Sequence, residues 1–355
     1  MSDVSDHFSS SDEDLENFLE VIEVPKNVGY FETIVPQFDD DLYFQHFRMS
    51  RGLTNQLAER FAASQYYNEQ VGDSEKVTPL KFLMVFLWYI GNEAESFRNV
   101  GDRFNLTKST VFKVVRRVSY FLSNLAPEVI KWPRNEEKVE IEQHFSEHDL
   151  PGVIGVIDGT HIKIDKPAED PDSYLNRKHF FSIQVQVVCD HRRKIRDIFL
   201  GYPGSVHDSR VLRNSQLFHS LEEKCGDKYI IGDSGYPCLR HLLTPFRDNG
   251  HLTRRQRNYN YIVSKNRYVI EHCFGVMKQK FRQLYHVKIK NMEDISHLIR
   301  ACAILHNLCL DEQLPEEEDN MPEIVNVGDV NGAERDDGNG VMKRNDVMNR
   351  LRFVL

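Results

Sequence analysis

The chain has 355 residues, 40% hydrophobic and 28% charged, with 45 Lys and Arg against 54 Asp and Glu and a formal net charge of −9. These figures exclude a collagenous, wholly disordered or disulfide-stapled chain, and the longest apolar run, Phe82 to Ile90, is about half a membrane span. The average charge alone argues against a nucleic-acid partner, because phosphate attracts positive surface.

In chain order the charge is uneven. Residues 1–45, rich in Ser, Asp and Glu, carry −11 and are expected to form a largely disordered acidic tail. Residues 46–150 balance 14 bases against 14 acids and show helical spacing in Asn55–Ser64, Leu80–Ile90, Ser96–Asn105 and Ser109–Asn124. A charged segment, Asn135–His148, then leads to Pro151-Gly152.

Strand grammar follows. Val153–Ile157 is a short β-branched run, Ser182–Cys189 alternates, and Ile195–Leu200 is a third strand. Asp208–Leu221 has helical spacing, Tyr229–Ile231 is a fourth strand, and after a loop region Asn258–Leu284 and Met292–Leu310 read as helices. Residues 151–310 hold 25 bases against 16 acids, so this stretch is +9. Residues 311–340 return to −10 and 341–355 carry +3, and 311–355 is expected to be a second, largely disordered tail. The roughly 265 residues between the tails suit two domains or one large one. Six cysteines without a C-x-x-C pair, four of them in apolar stretches, read as reduced core residues. The expected compartment is therefore the nucleus or the cytoplasm, and the basic runs at 192–194 and 254–257 are candidate nuclear signals.

Two acids stand where strands are expected to end: Asp158 in V-I-D-G-T-H and Asp233 in I-I-G-D-S-G-Y. A charge there is costly unless paired, hydrogen-bonded or metal-bound, and ligand sites of α/β sheets gather at strand carboxyl ends. Each Asp taken alone equally suits ordinary turn chemistry. Glu271, in R-Y-V-I-E-H-C-F-G-V-M-K, shares a helix face with Arg267 at i−4 and Lys278 at i+7. Converging in that order, three carboxylates repel one another unless a divalent cation lies between them. Two Mg²⁺ or Mn²⁺ held this way clamp the attacking and leaving oxygens of an in-line phosphoryl displacement. Asp208, in P-G-S-V-H-D-S-R-V, is a fourth candidate that also suits the N-cap of the following helix. Beside it, His207 is a candidate for proton transfer or a polar contact.

With these motifs the chain resembles the PIF/Harbinger transposases and the nucleases derived from them. The resemblance is carried by P-G-V-I-G-V-I-D-G-T-H-I, S-Y-L-N-R-K-H-F-F-S, G-Y-P-G-S-V-H-D-S-R-V, I-G-D-S-G-Y-P, V-I-E-H-C-F-G-V-M-K and A-C-A-I-L-H-N, in family order from about 151 to 308. It implies an α/β, RNase H-like DDE endonuclease domain over 151–310, and the helical spacing before it reads as an N-terminal all-helical, helix-turn-helix-like domain over 46–150. It places the catalytic triad on Asp158, Asp233 and Glu271, and the Mg²⁺ or Mn²⁺ ligands on these with Asp208. Arg267, Glu271 and Lys278 fit the end of a Tyr, Arg, Glu, Lys signature whose Tyr position is Ser264 here, a departure that bears on how a DNA phosphate is held. His207, Arg267 and Lys278 are the expected supporting, phosphate-binding groups. The resemblance also implies a separate Myb/SANT-like DNA-binding partner protein.

Ser96–Tyr120 reads as helix, turn, helix, capped by Thr107 or Ser109. Lys108, Ser109, Lys113, Arg116 and Arg117 are then the candidate DNA contacts. Basic groups at 177–178, 192–196, 254–257 and 278–282 would position a phosphodiester backbone around the acids. The expected function is a divalent-metal-dependent DNA endonuclease or transposase that hydrolyses phosphodiester bonds and carries out strand transfer. The alternative is a domesticated, non-cutting derivative that binds DNA or protein.

Overall fold

A computed structural model describes residues 27–68, 77–93, 95–312 and 336–354; residues 1–26 and 313–335, most of the two expected acidic tails, lie outside the described residues. The N-terminal segment is packed well before residue 46. Two short turns, Tyr30–Ile34 and Val35–Gln37, precede helix α1 (Asp40–Phe47), and Tyr30, Val35 and Tyr43 are buried. Tyr30 lies edge-on to Trp88 and Phe104, so its apolar ring outweighs the acids around it.

The helical region continues with α2 (Arg51–Ala62), α3 (Gln65–Asn68), α4 (Pro79–Gly91), α5 (Phe97–Phe104), α6 (Lys108–Ser123), α7 (Ala126–Val129) and α8 (Asn135–Glu147). Side-chain caps set the starts: Thr78 accepts from Lys81 N ahead of Pro79, Ser96 from Asn99 N, and Thr107 from Thr110 N. Helix α4 is buried on nearly every side, which explains why its sequence is apolar throughout rather than amphipathic.

The sheet holds β1 (Val153–Lys163), β2 (Ser182–Cys189), β3 (Ile195–Pro203), β4 (Tyr229–Ile231) and β5 (Leu242–Leu243), in the order β3-β2-β1-β4-β5. Strands β1, β2 and β3 are antiparallel neighbours, whereas β1–β4 and β4–β5 pair in parallel. Helices α9 (Pro171–Tyr174), α10 (Asp208–Arg213), α11 (Gln216–Cys225), α12 (Arg254–Lys280), α13 (Met292–Asp311) and α14 (Gly338–Arg350) complete the chain. Among the described residues no helix is long and apolar enough to cross a membrane, and all six cysteines are buried and free.

Several boundaries differ from the sequence expectation. Strand β1 runs to Lys163, so Asp158 lies inside a strand instead of closing one. The expected helix Asp208–Leu221 breaks at Asn214, and Ser215 caps α11 by accepting from Phe218 N. A capping box at Thr253 starts α12 four residues early, and a 3₁₀ turn, Arg282–Tyr285, takes over its end. The expected loop contains β5, too short to show period-2 alternation. The C-terminal segment is not tail to its end, because α14 docks on α12 and β5.

Packing joins what the sequence left as one or two units. A single apolar cluster runs from Tyr30 through α2, α4, α6, β1, β2 and α12 to Cys309, and α13 packs between α6 and β3. A smaller cluster covers the opposite sheet face, where α10 and α11 lie over Ile154, Ile157, Val188 and Ile230.

Candidate active site

The site is built across β1. Successive strand side chains point to opposite faces, so Asp158 and Gly159 address different sides of the sheet. On the first side, Asp158 is 3% exposed and accepts a hydrogen bond from Arg267 Nη2 at 3.0 Å, an ion pair between β1 and α12. Its other oxygen accepts from Gly159 N at 2.7 Å. Burial pushes the Asp158 carboxyl up to about 7; the Arg267 guanidinium opposes this, while the charges of Asp233 and Glu271 add to it. Glu271 is thus in electrostatic contact with Asp158, one α12 turn beyond Arg267, and is half-buried.

On the other side, Asp208 opens α10, with His207 rather than Asp208 in the N-cap position. The Asp208 carboxylate occupies the space where a side chain at 159 would project: a Cβ built on Gly159 would overlap Asp208 Oδ1. The glycine of V-I-D-G-T-H is therefore a close approach within a strand and not a turn residue. Gln184 of β2 donates its amide to the same Asp208 oxygen.

Asp233 joins the two sides. It lies two residues beyond β4, whose Ile231 is level with Val156 of β1, is 6% exposed, and accepts from Gly235 N at 2.9 Å. A Cβ at Gly235 would stand 3.1 Å from Asp233 Oδ1 and 3.3 Å from Asp208 Oδ2, so both carboxylates border the same small volume. The four acids expected from the sequence are neighbours, held by β1, α10, the loop after β4, and α12.

Lys278 is buried two turns beyond Glu271 and donates to Thr160 Oγ1 at 2.7 Å and to the His161 carbonyl at 3.1 Å. Burial lowers its ammonium to about 8, and the charge of Lys178 adds to the effect. His161 is pushed down to about 4 by burial and then by Lys278, Lys178 and Arg177, so its ring is neutral at pH 7. Ser264, at the departing signature position, is exposed on α12.

The helix-turn-helix candidates divide. Lys108, Ser109 and Lys113 are exposed along one face of α6. Arg116 is exposed too, its side chain at 55%, while its Nε pairs with buried Asp294 Oδ1 of α13 at 3.0 Å and Tyr120 donates its hydroxyl to the same oxygen at 3.1 Å. Arg117 is half-buried. Sequence reading missed Asp294 and Gln184. The only signal for Gln184 was a pair of glutamines on one face of an otherwise apolar strand, S-I-Q-V-Q-V-V-C.

Carboxylate oxygens are the donor set that hard cations such as Mg²⁺ and Mn²⁺ prefer. Burial is the main reason the Asp158 carboxyl is raised, with Asp233 and Glu271 adding to it, and this carboxylate donor set fits a divalent cation. Asp208 and Asp233 border a common volume, but among the described residues no three His, Cys, Asp or Glu side chains are gathered at ligand distance.

Residues 157–307 match a family model described as DDE superfamily endonuclease. The Homo sapiens protein "Putative nuclease HARBI1" is 30% identical over 241 residues, 62% of this chain and 68% of that protein. The Xenopus laevis protein of the same name is 25% identical over 249 residues, 68% and 70% of the two chains. "Protein ALP1-like" of Arabidopsis thaliana is 30% identical over 236 residues, 61% of this chain and 57% of that protein. No solved structure gives a match.

Proposed function

This chain belongs to the DDE superfamily of endonucleases, among the Harbinger transposase-derived proteins, and from that premise we propose that it is a divalent-metal-dependent enzyme that cuts DNA. The observation that carries the reading is the convergence of Asp158, Asp208, Asp233 and Glu271, with burial and neighbouring carboxylates raising Asp158. The strand order β3-β2-β1-β4-β5, antiparallel on one side of β1 and parallel on the other, supports an RNase H-like framework for that site.

In this reading Asp158, Asp208, Asp233 and Glu271 hold Mg²⁺ or Mn²⁺, with Asp158, Asp233 and Glu271 as the catalytic triad. The cation supplies charge stabilisation at the phosphate under attack. Arg267 pairs with Asp158 at 3.0 Å in the protein as it stands, and is the group that would meet a phosphate oxygen. Lys278 holds Thr160 and the strand segment beside Asp158 in place, and His207 flanks Asp208. Lys108, Ser109, Lys113, Arg116 and Arg117 supply DNA contacts from α6, while Arg116 Nε also ties that helix to Asp294. A Myb/SANT-like partner supplies further DNA contacts, and the protein acts in the nucleus.

The test is cleavage of duplex DNA with Mg²⁺ or Mn²⁺ by the full chain, Asp158→Ala and Glu271→Ala. Cutting is expected from the wild type alone; cutting that survives both substitutions sinks the assignment. One observation favours the non-cutting alternative: Arg267 already provides the positive charge beside Asp158. Retained DNA binding with no cutting by any form decides for it.

A further inference from the structure

On the Asp208 side of β1 the structure buries several polar atoms that no protein group satisfies. They are Gln184 Oε1, both amide atoms of Gln186, and the Tyr236 hydroxyl. Native interiors rarely tolerate this, because a buried donor or acceptor without a partner costs more than an apolar replacement of the same shape. Gln184 is 3% exposed, Gln186 1% and Tyr236 1%, so bulk solvent does not satisfy them.

Their placement is common to one face. Gln184 and Gln186 are two residues apart on β2 and project to the same side. Strand register sets Gln186 opposite Gly159 and Gln184 opposite His161. A Cβ on Gly159 would stand 3.2 Å from Gln184 Nε2, beside Asp208. Tyr236 closes the group from the other end: it packs in the apolar cluster beneath α10 and α11, while its hydroxyl lies in the field of Asp208, Asp158 and Asp233. A Cβ on Gly232 would press on the Tyr236 ring at 3.1 Å, so the G-D-S-G-Y turn is shaped around that ring. Were these three residues only core filling, Leu, Leu and Phe would fill the same space without the unsatisfied atoms.

We propose that Gln184, Gln186 and Tyr236 are positioning residues for the carboxylate site. Gln184 fixes the Asp208 carboxylate by donating its amide N–H. The Tyr236 hydroxyl and the Gln186 amide complete their hydrogen bonds through ordered water shared with Asp208 and Asp233, which holds those carboxylates at the spacing a divalent cation requires. This rests on the reading of the acids as a cation site.

The test uses the full chain, with Gln186→Leu on β2 and Tyr236→Phe beyond β4, so that a folding failure in one leaves the other to decide. Mn²⁺ alone is titrated by calorimetry, DNA turnover is measured with Mg²⁺, and melting temperature is followed for both. Each variant is expected to fold and to melt near the wild-type temperature, since Leu and Phe refill the same buried space. Mn²⁺ affinity and turnover should fall roughly 10- to 100-fold, with KM for DNA unchanged. Folded variants with wild-type Mn²⁺ affinity overturn the proposal, as does a wild type that binds no Mn²⁺. A wild type that binds Mn²⁺ but never cuts overturns the nuclease reading alone, and the Mn²⁺ titrations still decide the positioning role.

Discussion

Gly159 shows how a single residue can carry the site. Alanine there meets the terminal oxygen of a short side chain, not backbone, so the fold can absorb it by moving Asp208. Gly159→Ala is therefore expected to melt within a few degrees of the wild type while DNA cleavage falls about 100-fold, the order seen when a reacting geometry slips by ~1 Å; full activity with the same melting temperature would show that Asp208 takes no part. Lys278 makes a second, pH-dependent prediction. Its ammonium is lowered from 10.5 to about 8 in the folded chain. Between those values the unfolded chain binds the extra proton, so this group makes stability rise with pH through that window and weakens the fold below it. Lys278→Met removes the slope: the wild-type-minus-variant difference in unfolding free energy, from urea melts at pH 7 and pH 10, should grow by on the order of 1–3 kcal/mol in favour of the wild type at the higher pH. The four acids were legible in the sequence because carboxylates beside apolar strands conflict with their surroundings. Gly159 and Gln184 were not, since a glycine after an aspartate also suits a turn and only the register of β1 against β2 puts both beside Asp208.

Elements were legible where one periodicity ran unopposed. Strands β2 and β4 and helices α4 to α6 fall within a residue or two of expectation, because alternation or caps at Thr78, Ser96 and Thr107 define them. Helix α14 was invisible for a physical reason: the side chain it buries most deeply is a charge. Arg344 pairs with Asp336 at 3.2 Å, donates to the carbonyls of Thr244 and Pro245, and lies over the Phe246 ring at 4.2 Å. Gly340 lets the helix approach the backbone at Cys238 and Leu239, where a Cβ would come within 2.5 Å of the Cys238 carbonyl. Apolar moment cannot report a contact of this kind. Arg344→Ala takes the guanidinium from the Thr244 and Pro245 carbonyls and uncovers the Phe246 ring, and is expected to lower unfolding free energy by about 1–3 kcal/mol. A urea midpoint equal to the wild type's would mean that α14 contributes nothing to the folded state.

At the scale of the whole molecule, the net charge of −9 is an average over unlike parts, and it conceals the +9 of residues 151–310. Charge divides the chain; packing does not. The composition break near residue 150 separates a helical sequence from a strand-bearing one, yet the apolar cluster crosses it without interruption. Helix α13 is the reason. Ile295, Leu298, Ile299, Cys302 and Leu305 are fully buried between α6 and the sheet, Asp294 ties down Arg116, and Arg300 donates to Ser123 Oγ at 3.1 Å. A fragment comprising only 151–310 contains all four acids but exposes that entire helix face. It is expected to aggregate, or to keep far-UV helix signal without near-UV structure, whereas a 27–354 chain should unfold in one cooperative transition. Scanning calorimetry with circular dichroism on both chains decides this: a soluble, monomeric 151–310 fragment with its own sharp melt would mean that the helical region is an attachment and not half of the core that holds the carboxylates together.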